Sequence, residues 1–179
     1  MVKKPNKKER LFEITVRYIC LLICAAFMLP LLYKIFTPLT IFFSATLLKV
    51  FYQVTIADTI IALNATTLVQ IIPACVAGSA YLLLVLLNLS LPLSFKQRFL
   101  SLLFGFSLFF LANILRIVIL AILYYHKSLF FNSIHLTLWY LASTLLVIGI
   151  WILTVYVFAI KNIPLYTDVT YLVKMTRSK

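Results

Sequence analysis

Three side chains in this sequence are of types that together could perform acyl transfer: Cys75, Arg116 and His135. A cysteine thiolate is a nucleophile, a histidine transfers protons near neutral pH, and a guanidinium can stabilise a developing oxyanion. The three residues lie in different apolar segments of the chain. The elements that contain them must therefore meet in space before any such chemistry is available.

Arg116 is the most unusual of the three because it lies deep in an apolar run from Phe109 to Val118. An arginine at the middle of a membrane-spanning helix costs at least about 2.5–3.5 kcal/mol. It precedes Tyr125 by nine residues, so it lies about 13 Å from that end of its helix, too deep to snorkel easily. Asn113 shares its helical face and is expected to hydrogen-bond either the guanidinium or the partner of the guanidinium. The alternative is a structural arginine bonded to backbone carbonyls.

Cys75 follows Pro73 and Ala74 at the predicted start of a membrane-spanning helix, where proline is favoured. The thiol would then lie near the positive end of the helix dipole, which favours the thiolate. Cys20 and Cys24 lie one turn apart in the first apolar segment and are expected to be inert packing residues. Inert packing is the alternative interpretation for Cys75 as well.

His135 follows a polar break in the sequence and is predicted to begin the last apolar segment. The other histidine, His126, lies within that break, and solvation explains it well. The cysteines form no CxxC pattern and the histidines no HExxH pattern. We therefore predict no metal site and no cofactor.

The composition predicts an integral membrane protein. Of the 179 residues, 64% are hydrophobic and 11% are charged, whereas soluble domains average about 45–50% and about 25%. This disfavours a soluble enzyme, a disordered tail and a secreted disulfide scaffold. With four acidic residues and three glycines, the apolar segments hold no carboxylate pair and no phosphate-binding glycine loop can be built.

Four apolar segments approach or exceed the roughly 20 residues that a spanning helix needs. They are Tyr18–Phe36, Cys75–Leu93, Phe99–Tyr125 and Leu136–Ile160. A fifth, shorter apolar stretch runs from Thr37 to Tyr52. We predict an all-α, polytopic transmembrane helical bundle with four to five spans, forming a single domain over residues 1–179.

The basic residues predict how this bundle is oriented. Sixteen lysines and arginines against four acids give a net charge of +12. Six lie in residues 1–17, two at Lys96 and Arg98, and four in residues 161–179. The positive-inside rule places all three regions in the cytoplasm, so that 1–17 is a cytoplasmic N-terminus and 161–179 a cytoplasmic tail. Because the charges are grouped at chain ends and one loop, nucleic-acid binding is not predicted.

This orientation requires four crossings and leaves none for Thr37–Tyr52. We expect that stretch to be interfacial or re-entrant, with Thr40 and Ser44 at helical spacing. An ordinary fifth span with an external N-terminus is the alternative. The region Ile56–Ile72 is rich in Ile, Val and Thr, with a break at Leu63-Asn64-Ala65, and predicts a small extracytoplasmic β-hairpin. In this topology the three candidate residues all lie in the outer half of the membrane.

The order of these motifs on successive helices resembles the exosortase/archaeosortase family of membrane transpeptidases. The resemblance covers about Pro73 to Ile160 and depends on Cys75-Val-Ala-Gly-Ser-Ala-Tyr81, on Asn113-Ile-Leu-Arg-Ile117 and on His135. The small size and the Cys-Val-Ala-Gly-Ser-Ala-Tyr string are most similar to short archaeal members, the pacearchaeosortases. Many relatives have a glycine two residues after the cysteine, whereas here Gly78 is three residues after it.

The resemblance implies a membrane cysteine protease/transpeptidase whose site faces outward from the cytoplasmic membrane. Cys75 would attack the substrate carbonyl and form a thioester, His135 would transfer protons, and Arg116 would stabilise the oxyanion, with Asn113 supporting Arg116. The implied substrates are membrane proteins whose C-terminal sorting signal comprises a short motif, a transmembrane helix and a basic cluster. A lipid is the implied acceptor, and no cofactor is needed.

Two other functions fit the same residues. A non-enzymatic membrane scaffold or assembly protein could use Arg116 to recruit an acidic partner helix. A small transporter could use Arg116 to hold an anion, although no internal repeat is visible in the sequence.

Overall fold

The chain forms a mostly helical bundle with one small sheet. The structure, a computed structural model, describes residues 7–89, 91, 93–139 and 143–160. In chain order the elements are α1 (Lys7–Leu48), β1 (Val54–Ala57), β2 (Ile60–Leu63), β3 (Thr67–Gln70), α2 (Pro73–Val76), α3 (Gly78–Leu89), α4 (Phe95–Tyr125), α5 (Phe131–Thr137) and α6 (Ser143–Val157). The first six residues of the predicted cytoplasmic N-terminus and the whole predicted tail, 161–179, lie outside the described residues.

Helix α1 is longer than the sequence predicts. It contains 42 residues, with Pro30 and Pro38 inside it, and so extends over about 63 Å at 1.5 Å per residue. The expectation that residues 37–52 form a separate interfacial or re-entrant element is wrong, because the helix continues unbroken to Leu48. Thr40 and Ser44 are fully buried in the protein. A proline inside a helix is tolerated where neighbouring groups compensate for its lost hydrogen bond.

Two helices are long and apolar enough to cross a membrane, as judged by length and composition. These are the part of α1 from Ala25 to Leu48 and the whole of α4, which contain most of the first predicted span and all of the third. Helices α3 and α6 have 12 and 15 residues, fewer than the roughly 20 that a straight crossing needs. The prediction of a mainly helical fold is confirmed, but a count of four to five spans is not supported.

The predicted hairpin is part of a three-stranded antiparallel sheet in the order β1-β2-β3. The chain turns between β2 and β3 at the predicted break, where Asn64 and Ala65 have φ values of 49° and 57°. Two consecutive left-handed residues are typical of the tight turns that join hairpin strands. The strand that the sequence does not predict is β1, which pairs with β2 from Val54↔Leu63 to Ala57↔Ile60.

The sheet rests on the C-terminal ends of α1 and α4. Asn64 accepts a hydrogen bond from the backbone N–H of Gln53 at 2.8 Å and donates one to the Tyr125 hydroxyl at 2.9 Å. Tyr52, just after α1, lies 3.2 Å from Nε2 of His126, just after α4. These contacts hold the sheet at the end of the bundle where α1 and α4 end and α2 begins.

At the N-terminal end of α4, hydrogen bonds join the helix to the end of α3. The Arg98 guanidinium donates from Nη1 to the carbonyl of Asn88 at 2.7 Å and from Nη2 to that of Leu91 at 2.8 Å. Asn88 also donates to the Ser101 hydroxyl at 2.6 Å. The C-terminal end of α3 is therefore joined to the first two turns of α4.

Two buried apolar clusters hold the bundle together, and the region around Cys75 lies between them. Val76 belongs to the cluster formed by the second half of α1, the sheet and the second half of α4. Tyr81 belongs to the cluster of α1, α3, the first half of α4 and α6, and its ring stacks on Phe36 with centroids 3.9 Å apart. A Cβ atom on Gly78 would lie 2.7 Å from the Tyr33 ring, so only glycine allows α3 to begin this close to α1.

Candidate active site

The local sequence explains how the backbone presents Cys75. Residues that precede proline are restricted to extended conformations, and Ile72 has φ −91° and ψ 163°. Pro73 then starts α2, as predicted, but this helix has only four residues. Ala77 adopts a left-handed conformation with φ 56° and ψ 43° and interrupts the helix.

The predicted continuous helix from Cys75 to Leu93 is therefore wrong. A helix of four residues has little macrodipole, because the dipole is the sum of aligned peptide units. The helix dipole is then not a sufficient cause of thiolate formation at Cys75. Other groups near the thiol must supply that effect if the thiol is reactive.

The break at Ala77 leaves the Cys75 carbonyl to side-chain donors. Asn113 Nδ2 donates to it at 2.9 Å, and Arg116 Nη2 donates to it at 3.3 Å. Asn113 is 1% exposed, and its Nδ2 also lies 3.5 Å from the Val76 carbonyl. The described hydrogen bonds of Asn113 thus go to the backbone around Cys75, including the carbonyl that Arg116 also binds, so Asn113 contacts a partner of the guanidinium and not the guanidinium itself.

Only some of the N–H donors of Arg116 make hydrogen bonds to described residues. Its Nη1 donates to the Ser143 hydroxyl at 3.3 Å, while its buried Nε has no hydrogen-bond partner among the described residues. A guanidinium carries five N–H donors, of which these two contacts use two. The bond to the Cys75 carbonyl is what the structural alternative predicted, and it also places the cation in contact with the backbone of the thiol-bearing residue.

Cys75 and His135 line the same cavity of about 280 Å³. One wall consists of residues 68–72, from β3 and the segment that follows it. The other walls come from α4 and from α5, including Tyr124 and Phe131. Apart from Cys75 and His135, the side chains of this cavity are mostly apolar.

His135 lies in the short helix α5 and does not begin the last long helix, contrary to the prediction. Its ring stacks against Phe131 with centroids 5.5 Å apart and meets Trp139 edge-to-face at 5.8 Å. Residues four apart share one helical face, so this spacing holds the imidazole between two aromatic rings. In the described part of the chain neither ring nitrogen of His135 has a hydrogen-bond partner, whereas His126 contacts Tyr52.

Arg116 does not share the cavity of Cys75 and His135. It lines a neighbouring cavity of about 290 Å³ together with Asn113 and Ser143. The backbone at Cys75 joins the two sites, because its carbonyl accepts from Arg116 while its side chain lines the first cavity. The structure thus brings two of the three predicted residues into one cavity and connects the third through the main chain.

Sequence reasoning did not identify Ser143, although it contacts Arg116. The available signal was its place as a polar residue in the apolar stretch Leu136–Ile160, where polar side chains usually find partners. Its hydroxyl also donates to the Leu138 carbonyl at 2.8 Å. Ser143 therefore links Arg116 to the end of α5.

Comparisons with protein-family models, with curated proteins and with solved structures found no match to this chain. Within residues 7–160, as far as the structure describes them, no group of three His, Cys, Asp or Glu side chains is placed to hold a metal ion. The chemistry of the site is therefore inferred from the geometry around Cys75, His135 and Arg116.

Proposed function

We propose that this chain is a membrane cysteine protease/transpeptidase that cleaves C-terminal sorting signals of surface proteins and transfers them to an acceptor, most simply a lipid. The observation that supports this most directly is the shared cavity of Cys75 and His135. A cysteine and a histidine that line one cavity are the minimum for nucleophilic acyl transfer with proton transfer. The donors on the Cys75 carbonyl add a means of fixing the nucleophile.

The proposed reaction has two halves. In the first, the Cys75 sulfur attacks the peptide carbonyl, its proton passes to His135, and the C–N bond breaks as His135 protonates the leaving amine. This leaves a thioester on Cys75. In the second half, an acceptor amine or hydroxyl attacks the thioester, loses its proton through His135, and regenerates the thiol.

Arg116 is proposed to act at the same centre. Its contact with the Cys75 carbonyl orients the residue that carries the nucleophile. Its positive charge lies at the backbone of Cys75 in the neighbouring cavity, and we assign to it the stabilisation of the oxyanion that forms when the thiol attacks the substrate carbonyl. Asn113, about one turn earlier on the same helix α4, would fix the same carbonyl.

The proposed setting is the cytoplasmic membrane, with α1 and α4 crossing it and the sheet at the outer face. Large apolar side chains are exposed on several helices, including Phe27, Leu111 and Ile152 at 78%, 59% and 56%. Extensive exposed apolar surface suits a lipid environment better than water. We propose that α2 with α3, and α5 with α6, also traverse the bilayer, which returns the chain to the cytoplasm after α6.

A second candidate function is favoured by the cavity at Arg116. An acidic side chain of a partner helix could occupy that cavity and pair with the unpartnered Nε. In this case the protein would be a scaffold or assembly factor, and Cys75 would have no chemical role. The two candidates differ in what loss of the thiol does.

The test is co-expression with a reporter that consists of a secreted domain followed by a C-terminal sorting signal. The signal comprises a short motif, an apolar helix and a basic cluster, and it is taken from a protein of the same genome. The wild-type chain is expected to remove the apolar helix, whereas Cys75→Ala should leave the reporter intact. Cys24→Ala is the matched control and should retain processing. If Cys75→Ala processes the reporter at the wild-type rate, the enzymatic function is excluded.

A further inference from the structure

The sheet has a free edge at β3. The register pairs Ile60 with Gln70, and the Ile71 N–H donates to the Thr59 carbonyl at 2.8 Å. Hydrogen-bonded and non-hydrogen-bonded pairs alternate along an antiparallel ladder. Because Thr59 and Ile71 form a hydrogen-bonded pair, the next pair, Ile60 and Gln70, is not hydrogen-bonded. Gln70, and Leu68 two residues earlier, therefore direct their backbone N–H and C=O groups away from β2. No other strand in the described part of the chain pairs with β3 on that side.

This free edge borders the cavity of Cys75 and His135. All five consecutive residues from Leu68 to Ile72 line that cavity. Successive side chains of a strand point to opposite faces of its sheet. A cavity that touches every residue in turn therefore meets the strand along its edge rather than on one face.

Unpaired backbone groups on an apolar wall require partners that supply both donors and acceptors. An acyl chain on this edge would displace water from these groups and offer no hydrogen bonds in return, which costs free energy. An extended peptide offers an N–H and a C=O at every second residue, which is how sheet edges bind peptides elsewhere. The chemistry of this edge therefore favours a peptide backbone as the occupant.

We infer that the substrate segment next to the scissile bond binds as an additional β-strand on the free edge of β3. This inference rests on the proposed function, because it concerns how that substrate reaches Cys75. Pairing with both Leu68 and Gln70 takes three to four substrate residues at about 3.3 Å each. The chain then continues through residues 71–74 to Cys75, so a strand on this edge is directed along the wall that ends at the thiol.

The same arrangement sets the class of substrate. Alternate side chains of the added strand face the apolar and aromatic lining, which includes Ile117, Tyr124 and Phe131. These positions accept apolar side chains. Every second residue of the substrate strand donates its backbone N–H to β3. Proline has no N–H, so it is excluded from these substrate positions and tolerated at the positions between them.

The test uses alkylation of Cys75 in a chain whose Cys20 and Cys24 are changed to alanine. The peptide probe is acetyl-Val-Leu-Val-Ala chloromethyl ketone, and the small probe is iodoacetamide. With the ketone, the thiolate sulfur displaces chloride from the methylene carbon, and the thiol proton passes to solvent. Rates are measured by intact mass of the detergent-solubilised protein.

Gln70→Pro removes one outward N–H from the free edge and places a ring against the incoming strand. Ile56→Pro is the matched control on the opposite edge strand, β1. The Asn64 N–H donates to the Gln53 carbonyl, and the alternation of pairs from that bond directs the backbone N–H of Ile56 away from β2. Proline is tolerated at such edge positions. The ketone should react at least about tenfold more slowly with Gln70→Pro and at the parent rate with Ile56→Pro. Iodoacetamide should react equally with all three proteins.

A second measurement does not depend on the folding of any variant. N-methylation of the probe at each residue in turn should slow alkylation of the parent chain at one alternate set of positions only. Equal rates for Gln70→Pro and the parent, or a uniform N-methyl scan, would overturn strand addition. If the reporter is still processed by the wild-type chain and not by Cys75→Ala, that result leaves the proposed function intact, whereas processing by Cys75→Ala refutes the function itself.

Discussion

Two arginines at different depths of α4 hold main-chain carbonyls of the preceding helices, and they do so differently. Arg98, in the first turn of α4, binds the Asn88 and Leu91 carbonyls at 2.7 and 2.8 Å. Arg116, far along the same helix, binds the Cys75 carbonyl and the Ser143 hydroxyl, both at 3.3 Å. The two hydrogen bonds of Arg98 are short and lie at the end of a helix, whereas the two hydrogen bonds of Arg116 are long and lie beside a cavity.

The difference indicates what each cation is for. Short, charge-assisted bonds to the free carbonyls at a helix end are the usual way to satisfy them, and Arg98 needs no further explanation. Arg116 remains in an apolar segment at a considerable energetic cost, yet its contacts are long and its Nε is unpartnered among the described residues. Under the proposed function, its position places a charge next to the backbone of Cys75.

The largest expected effect comes from changing each arginine to lysine. Lysine keeps the charge but loses the planar set of donors. Arg116→Lys should lower reporter processing by about 10²- to 10³-fold, the typical result of removing a preorganised oxyanion donor. Arg98→Lys should process the reporter at close to the wild-type rate.

Thermal unfolding in detergent and the iodoacetamide rate at Cys75 should be measured on both variants. Unchanged processing by Arg116→Lys would show that the two arginines are equivalent and that Arg116 is structural. A loss of processing that merely follows a loss of folded protein would lead to the same conclusion.

A smaller effect is expected at the glycines, which test whether packing or hydrogen bonding holds the Cys75 region. Gly78→Ala places a Cβ 2.7 Å from the Tyr33 ring and should destabilise the protein by about 1–3 kcal/mol through overpacking. Gly149→Ala is the control, since nothing lies within 4 Å of its added Cβ, and it should be neutral or stabilising by up to about 1 kcal/mol. Equal melting temperatures for the two variants would refute the close approach of α3 to α1.

The features that the sequence could predict are those with local signals. The turn at Asn64 and the helix start at Pro73 were predictable because these residues favour the required backbone angles. The break at Ala77 was not, since alanine is the best helix former and gives no sign of a left-handed residue. The continuity of α1 was also missed, because the positive-inside count left no crossing for residues 37–52 and so predicted an interfacial or re-entrant stretch there.

The site shows the same division. Cys75 and His135 could be paired from their residue types and their predicted depth in the membrane, and the structure places them in one cavity. The contact of Arg116 with the backbone of Cys75 depends on the carbonyl that the break at Ala77 exposes. That carbonyl is free to accept side-chain donors because Ala77 is left-handed, a conformation that the sequence does not predict.

The most direct test of the central claim is a search for the acyl-enzyme itself. The wild-type chain is incubated with the reporter, quenched in acid and digested, and the peptide that contains Cys75 is examined by mass spectrometry. We expect a thioester between Cys75 and the new C-terminus of the reporter, which is released by neutral hydroxylamine and absent from Cys75→Ala. Processing of the reporter without any such adduct, or an adduct on a different residue, would contradict it.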